Sequence, residues 1–192
     1  METSDSLQGE LDVKKLAAIF LLTAAVSVAQ ITQTVVTKAT TPEHDSKPNS
    51  DKVPDGYAIE GQFERIVVLR FKYGVDLLET FQDMVKKHKI RNAVVLAGAG
   101  SVRNYHIHSV SNRVFPSENI YTKNPTKPAD IVSMNGYIID GRIHAHMTMT
   151  DENLAFGGHL EPETNVFTFA IITLGVFRDD VDLSKVDDKT YR

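Results

Sequence analysis

Residues 62 to 73, QFERIVVLRFKY, are dense in β-branched and aromatic side chains and stop at Gly74, which predicts a strand. The pattern then changes period. In VDLLETFQDMVKKHK, Leu77, Leu78, Phe81, Met84 and Val85 fall on one helical face, and Asp76 followed by Glu79 predicts a capping box. Lys86, Lys87 and Lys89 suit the C-terminal end of that helix, and His88 lies in its last turn. NAVVLAGAG reads as a buried strand entering a glycine-rich turn, LAGAGSVRN, which demands close packing or positive φ; its other reading is a cradle for an anion beside Arg103. SVRNYHIHSVSNRVF predicts another strand, and SENIYTKNPTKPAD, with two prolines, a loop. IVSMNGYIID and RIHAHMTMT form a hairpin about Asp140-Gly141, and NLAFGGHL and NVFTFAIITLGVF supply two more strands. One strand, one helix and then a run of strands predicts an α+β domain with a mostly antiparallel sheet.

The periodic region occupies residues 57–178, and what flanks it differs in kind. Lys14 and Lys15 precede an apolar run from Leu16 to Ala29 that closes on Ser27-Val28-Ala29, the arrangement of a signal peptide over residues 1–29. The run is short for a membrane span. The acidic METSDSLQGELD before the lysines is unlike such a leader; a translation start near Val13 would account for it, and an uncleaved anchor is the alternative. Residues 30–56 are rich in Thr, Ser, Pro, Asn and Asp without sustained periodicity, predicting a flexible tether in which His44 is solvated. Residues 179–192 form a charged tail. The expected location is therefore outside the cytoplasm, periplasmic or secreted.

Charge and composition narrow the chemistry. The net charge of −4 and absence of any Lys/Arg run argue against a broad phosphate-binding surface, so nucleic acid is not an expected partner. With no cysteine, disulfides, thiolate metal sites and cysteine nucleophiles are excluded, and any metal must be held by imidazole, carboxylate or water. Five of the seven histidines sit in predicted strands. Because strand side chains alternate, His144 and His146 share one face, as do His106 and His108. The polar turn TDEN brings His159 back alongside the first pair, and Gly157 and Gly158 clear its approach. His144, His146 and His159 are thus the candidate ligands of one metal ion, with His106 and His108 weaker candidates. Three imidazoles suit Zn²⁺ best, although other divalent transition metals use them too. Glu161, two residues past His159, is a weak candidate for an outer partner of the metal ligands or for a catalytic base; as an exposed turn residue it needs no role. No serine shows a nucleophile-elbow context.

The strand and helix VVLRFKYGVDLLETF, the loop AGAGSVRN, the stretch GRIHAHMTMTDENLAFGGHL and the closing apolar strand together resemble the PPC (plant and prokaryote conserved) domain family, in its bacterial branch. The resemblance implies an antiparallel sheet flanked by helices, assembly as a homotrimer, and zinc held by the HxH and Gly-Gly-His histidines, here His144, His146 and His159. Plant members of the family join the domain to a DNA-binding AT-hook; this chain has no Arg-Gly-Arg-Pro element and no basic arm. Two functions follow: an exported metal-binding protein that binds or transforms a small ligand at an open site, or a non-enzymatic DNA- or protein-binding module with a structural metal.

Overall fold

The computed structural model describes residues 33–40 and 47–186. The predicted leader, His44 and the last six residues lie outside them. The described residues form one nine-stranded, wholly antiparallel sheet and one α-helix. In chain order these are β1 (Thr34–Ala39), β2 (Phe63–Lys72), α1 (Leu77–Lys87), β3 (Ala93–Val102), β4 (Tyr105–Val110), β5 (Glu118–Asn124), β6 (Ala129–Ile139), β7 (Arg142–Thr150), β8 (Ala155–Leu160) and β9 (Val166–Phe177). Across the sheet the order is β1-β5-β4-β8-β7-β6-β3-β9-β2. The expectation of a sheet flanked by several helices is corrected to a single short one among the described residues.

α1 begins as its sequence dictates: the Asp76 carboxylate accepts from the Glu79 N–H at 3.0 Å. Leu77, Phe81 and Val85 are its buried side chains. They join Leu69 and Phe71 of β2, Ile138 of β6, Met147 and Met149 of β7, Leu160 of β8, and Ile172 and Leu174 of β9 in one core cluster. Each such side chain contributes roughly 1.5–3 kcal/mol on burial. The alternate residues of the same strands face away from that core, and several are apolar and exposed: Ile66, Val68, Val132, Tyr137 and Phe169.

Four predicted features differ. Thr34–Ala39, expected within a structureless tether, is a strand at the sheet edge: its Val35-Val36-Thr37 run pairs residue for residue with β5, although every one of its side chains is exposed. The proline-bounded loop contains β5, because Ile120, Tyr121 and Thr122 are good strand formers that find partners on both sides, in β1 and β4. The glycines of LAGAGSVRN lie inside β3 rather than in a turn, where bulges at Val95/Ala97 and Gly100/Val102 absorb them against β9. Beyond residue 178, Val181 and Leu183 are buried against Ile139 and Phe177, so the tail begins as part of the domain.

The Asp140-Gly141 turn forms as the sequence predicts. Both residues have positive φ (48° and 75°), as a two-residue hairpin turn with right-handed strand twist requires. Asp140 is braced further by Arg91, whose Nε donates to its carboxylate at 2.9 Å.

Candidate metal centre

The β6–β7 hairpin sets the register that exposes the histidines. Ala145, Met147 and Met149 of β7 are buried, so the intervening His144 and His146 must face outward. A one-residue slip would bury both imidazoles and expose both methionines, so the core holds the site in place. β8 returns antiparallel to β7 with His159 directly opposite His146, and β4 continues the row with His108 opposite His159. The two glycines before His159 are required by proximity: a Cβ on Gly157 would overlap the Met147 carbonyl oxygen, and one on Gly158 would sit 2.5 Å from that of His108.

His144, His146 and His159 converge. Their ligand nitrogens all lie within 4.8 Å of one another, and Nε2 of His144 is 3.2 Å from Nε2 of His146. Two nitrogens on a tetrahedral zinc, each at about 2.0–2.1 Å, would be roughly 3.3 Å apart, so this pair has the spacing of a shared ion. The three ring-to-ring distances, 5.2, 4.9 and 5.1 Å, are nearly equal. His144 and His146 are exposed and His159 is half-buried, so the cluster opens on the outer side of the sheet. The donor set is all nitrogen and neutral, which suits a first-row transition ion better than magnesium or calcium.

His106 and His108 do not join this group. The Nδ1 of His106 faces the Pro162 carbonyl at 3.0 Å, and that of His108 faces Glu161 Oε1 at 2.5 Å. The ring of His108 stacks on His159, with centroids 4.6 Å apart and planes at 30°. Glu161 is therefore not the exposed turn residue its sequence context suggests; its side chain is 20% exposed and directed at His108. Nothing in the local sequence signals that pairing, since residues 108 and 161 meet only because β4 and β8 are neighbours.

The electrostatics follow from this crowding. Burial first, then the neighbouring imidazoles of His108, His144 and His146, lower the pKa of His159 to about 4 despite the opposing pull of Glu161. His146 is lowered in the same direction by burial and by His144 and His108. Burial alone would raise Glu161, but the His108 hydrogen bond and the charges of His108, His159 and His106 outweigh it and leave the carboxyl below its ordinary value.

These shifts predict how the metal-free protein responds to acid. A histidine depressed on folding stabilises the fold fully above its unfolded pKa, near 6.5, and that contribution is lost as pH falls toward the folded value. For His159 the window runs from 6.5 down to about 4. The melting temperature of the metal-free chain is expected to fall across it, and less steeply in His159→Asn. Equal slopes in the two proteins, measured by circular dichroism between those limits, would contradict the electrostatic reading.

Comparison with known proteins bears on the fold. A metal-containing protein from Archaeoglobus fulgidus superposes with a TM-score of 0.55 at 20% identity, over 66% of this chain and 89% of that one. A plant- and prokaryote-conserved (PPC) protein from Pyrococcus horikoshii gives 0.53 at 20% identity, over 66% and 87%. A hypothetical protein from Salmonella cholerae-suis gives 0.54 at 20% identity, over 62% and 83%. At these identities the likeness is one of fold alone. No curated protein matches the chain. The profile of the Plants and Prokaryotes Conserved (PCC) domain, the family designated PPC above, matches residues 58–178, and the chain belongs to that family.

Proposed function

We propose that this is an exported metal-binding protein of the family's bacterial branch, trimeric, holding one zinc ion on His144, His146 and His159 and binding or transforming a small ligand at the open side of that ion. The observation that carries the reading is the convergence of three imidazole nitrogens within 4.8 Å on an exposed face. His144, His146 and His159 would hold the ion, and zinc so held would supply Lewis acidity to the ligand. The chain's own part is to fix the rings in place and, at His159, to hold the imidazole neutral: its depressed pKa keeps its lone pair free at neutral pH. The metal content of the Archaeoglobus fulgidus protein of similar fold supports the reading.

Trimer formation is supported by the exposed apolar side chains on the outer side of the sheet, Val68 at 64%, Ile66 at 55% and Val132 at 54%. Export rests on the sequence from Lys14 to Ala29. Among the described residues no helix is long and apolar enough to cross a membrane.

Protein purified from its native host without chelators is the test. Its mass should correspond to a chain beginning at Gln30, light scattering should report three subunits, and elemental analysis should find about one transition-metal ion per chain. Protein without metal that takes up no added Zn²⁺ would end the metal reading, and a concentration-independent monomer the trimeric one.

The same protein should show no salt-sensitive affinity for duplex DNA at physiological ionic strength, as its net charge of −4 implies. Sub-micromolar binding with a steep salt dependence in an anisotropy titration would favour the DNA-binding reading instead.

A further inference from the structure

Glu161 and His108 stand beside the three-histidine cluster without belonging to it, yet the fold fixes them closely. Their 2.5 Å contact is largely shielded, the side chains being 20% and 19% exposed. His108 is flanked across the sheet by His159 on β8 and Tyr121 on β5, with ring centroids 4.6 and 4.9 Å away. The backbone that carries Glu161 is pinned as well. Its N–H donates to the His106 carbonyl at 3.1 Å, and the Thr164 hydroxyl bridges the N–H and C=O of His106 at 3.0 Å each. Between them Glu163 is held at φ 71°, with its N–H donating to Asp76. A non-glycine residue persists in that region only where its surroundings over-determine it.

We infer that Glu161 and His108 are positioning residues for His159, and that they set the metal affinity of the cluster. The carboxylate fixes the orientation of the His108 ring through Nδ1, and the face of that ring fixes the plane of His159. A glutamate is ionised at neutral pH, so a negative charge also stands one ring away from the place where a cation would sit. Outer partners hydrogen-bonded to a ligating histidine are typically worth about 10–100-fold in metal affinity, and the same scale is taken for this carboxylate acting through a stacked ring. The inference rests on the metal reading proposed above and adds residues that supply no ligand atom.

The test uses the full chain, stripped of metal, with Zn²⁺ affinity measured by chelator competition and the absorption spectrum of the Co²⁺ form recorded in parallel. Glu161→Gln keeps the shape and removes the charge; His108→Phe keeps a flat ring and removes the carboxylate contact. Both are expected to weaken Zn²⁺ binding about 10–100-fold and to shift the Co²⁺ bands. Glu163→Gln, on an exposed side chain paired with Lys123, should change neither. A purely structural role for the pair would lower the urea midpoint while leaving the Co²⁺ spectrum unaltered, and that result overturns the inference. So does full affinity in Glu161→Gln, or a loss in Glu161→Gln that His108→Phe does not share. Failure of the underlying reading is separately visible: the wild type would then bind no Zn²⁺, or bind it no better than His144→Ala.

Discussion

Single replacement of His144, His146 or His159 by alanine is expected to leave the purified protein nearly free of metal, with Zn²⁺ affinity reduced by more than the roughly 10–100-fold that loss of an outer partner costs. The three should behave alike, because the ring separations of 4.9 to 5.2 Å give no one of them a privileged position. Each removal leaves two imidazoles, and a two-nitrogen site competes poorly with buffer and water for a divalent ion. His88→Ala is the matched control. His88 ends α1, where its backbone N–H donates to the Met84 carbonyl, and its ring has no part in the cluster. Metal content measured by mass spectrometry after dialysis decides the matter. Full occupancy in all three variants, or equal loss in His88→Ala, would mean that the cluster is not a metal site.

The convergence of these three side chains was legible in the sequence for a simple reason. Strand alternation is a strict period of two, the TDEN turn is short, and the apolar Ala145, Met147 and Met149 leave the histidines only one face to occupy. α1 was legible for a similar reason: its apolar spacing and its Asp76 cap are local signals. What was not legible depended on partners far away in the chain. β5 has polar neighbours and bounding prolines, so its strand character emerges only when β1 and β4 are seen on either side of it. β1 has no buried side chain and joins the sheet through its backbone pairing with β5, which no pattern of side-chain hydrophobicity can announce. The Glu161–His108 contact joins residues 53 positions apart and belongs to the same class. The burial of Val181 and Leu183 is hidden in the sequence because their aspartate neighbours dominate the local composition.

Gly136 provides the sharpest test of how the hairpin holds its histidines. It lies in β6 opposite Ala145, at φ 141°, a conformation that side-chain-bearing residues rarely adopt. A Cβ there would overlap the His144 carbonyl oxygen and come 2.8 Å from the Ala145 Cα, both of them backbone atoms of the strand that presents the cluster. Neither can move without shifting β7. Gly136→Ala is therefore expected to destabilise the domain by about 4 kcal/mol, combining backbone strain with steric overlap. That is a large fraction of the stability of an ordinary domain. Gly141→Ala isolates the strain, because Gly141 also has positive φ, 75°, but a Cβ there would meet nothing within 4 Å. Its expected cost is only about 1–2 kcal/mol. Urea denaturation of the two variants, followed by circular dichroism, compares them directly. Where Gly136→Ala still folds, its metal affinity should fall as well, since the displaced segment runs from His144 to His146, whereas Gly141→Ala should bind as the wild type does. Equal costs for the two substitutions would show that β6 and β7 are not locked together at Gly136, and the account of how the hairpin positions its histidines would have to be abandoned.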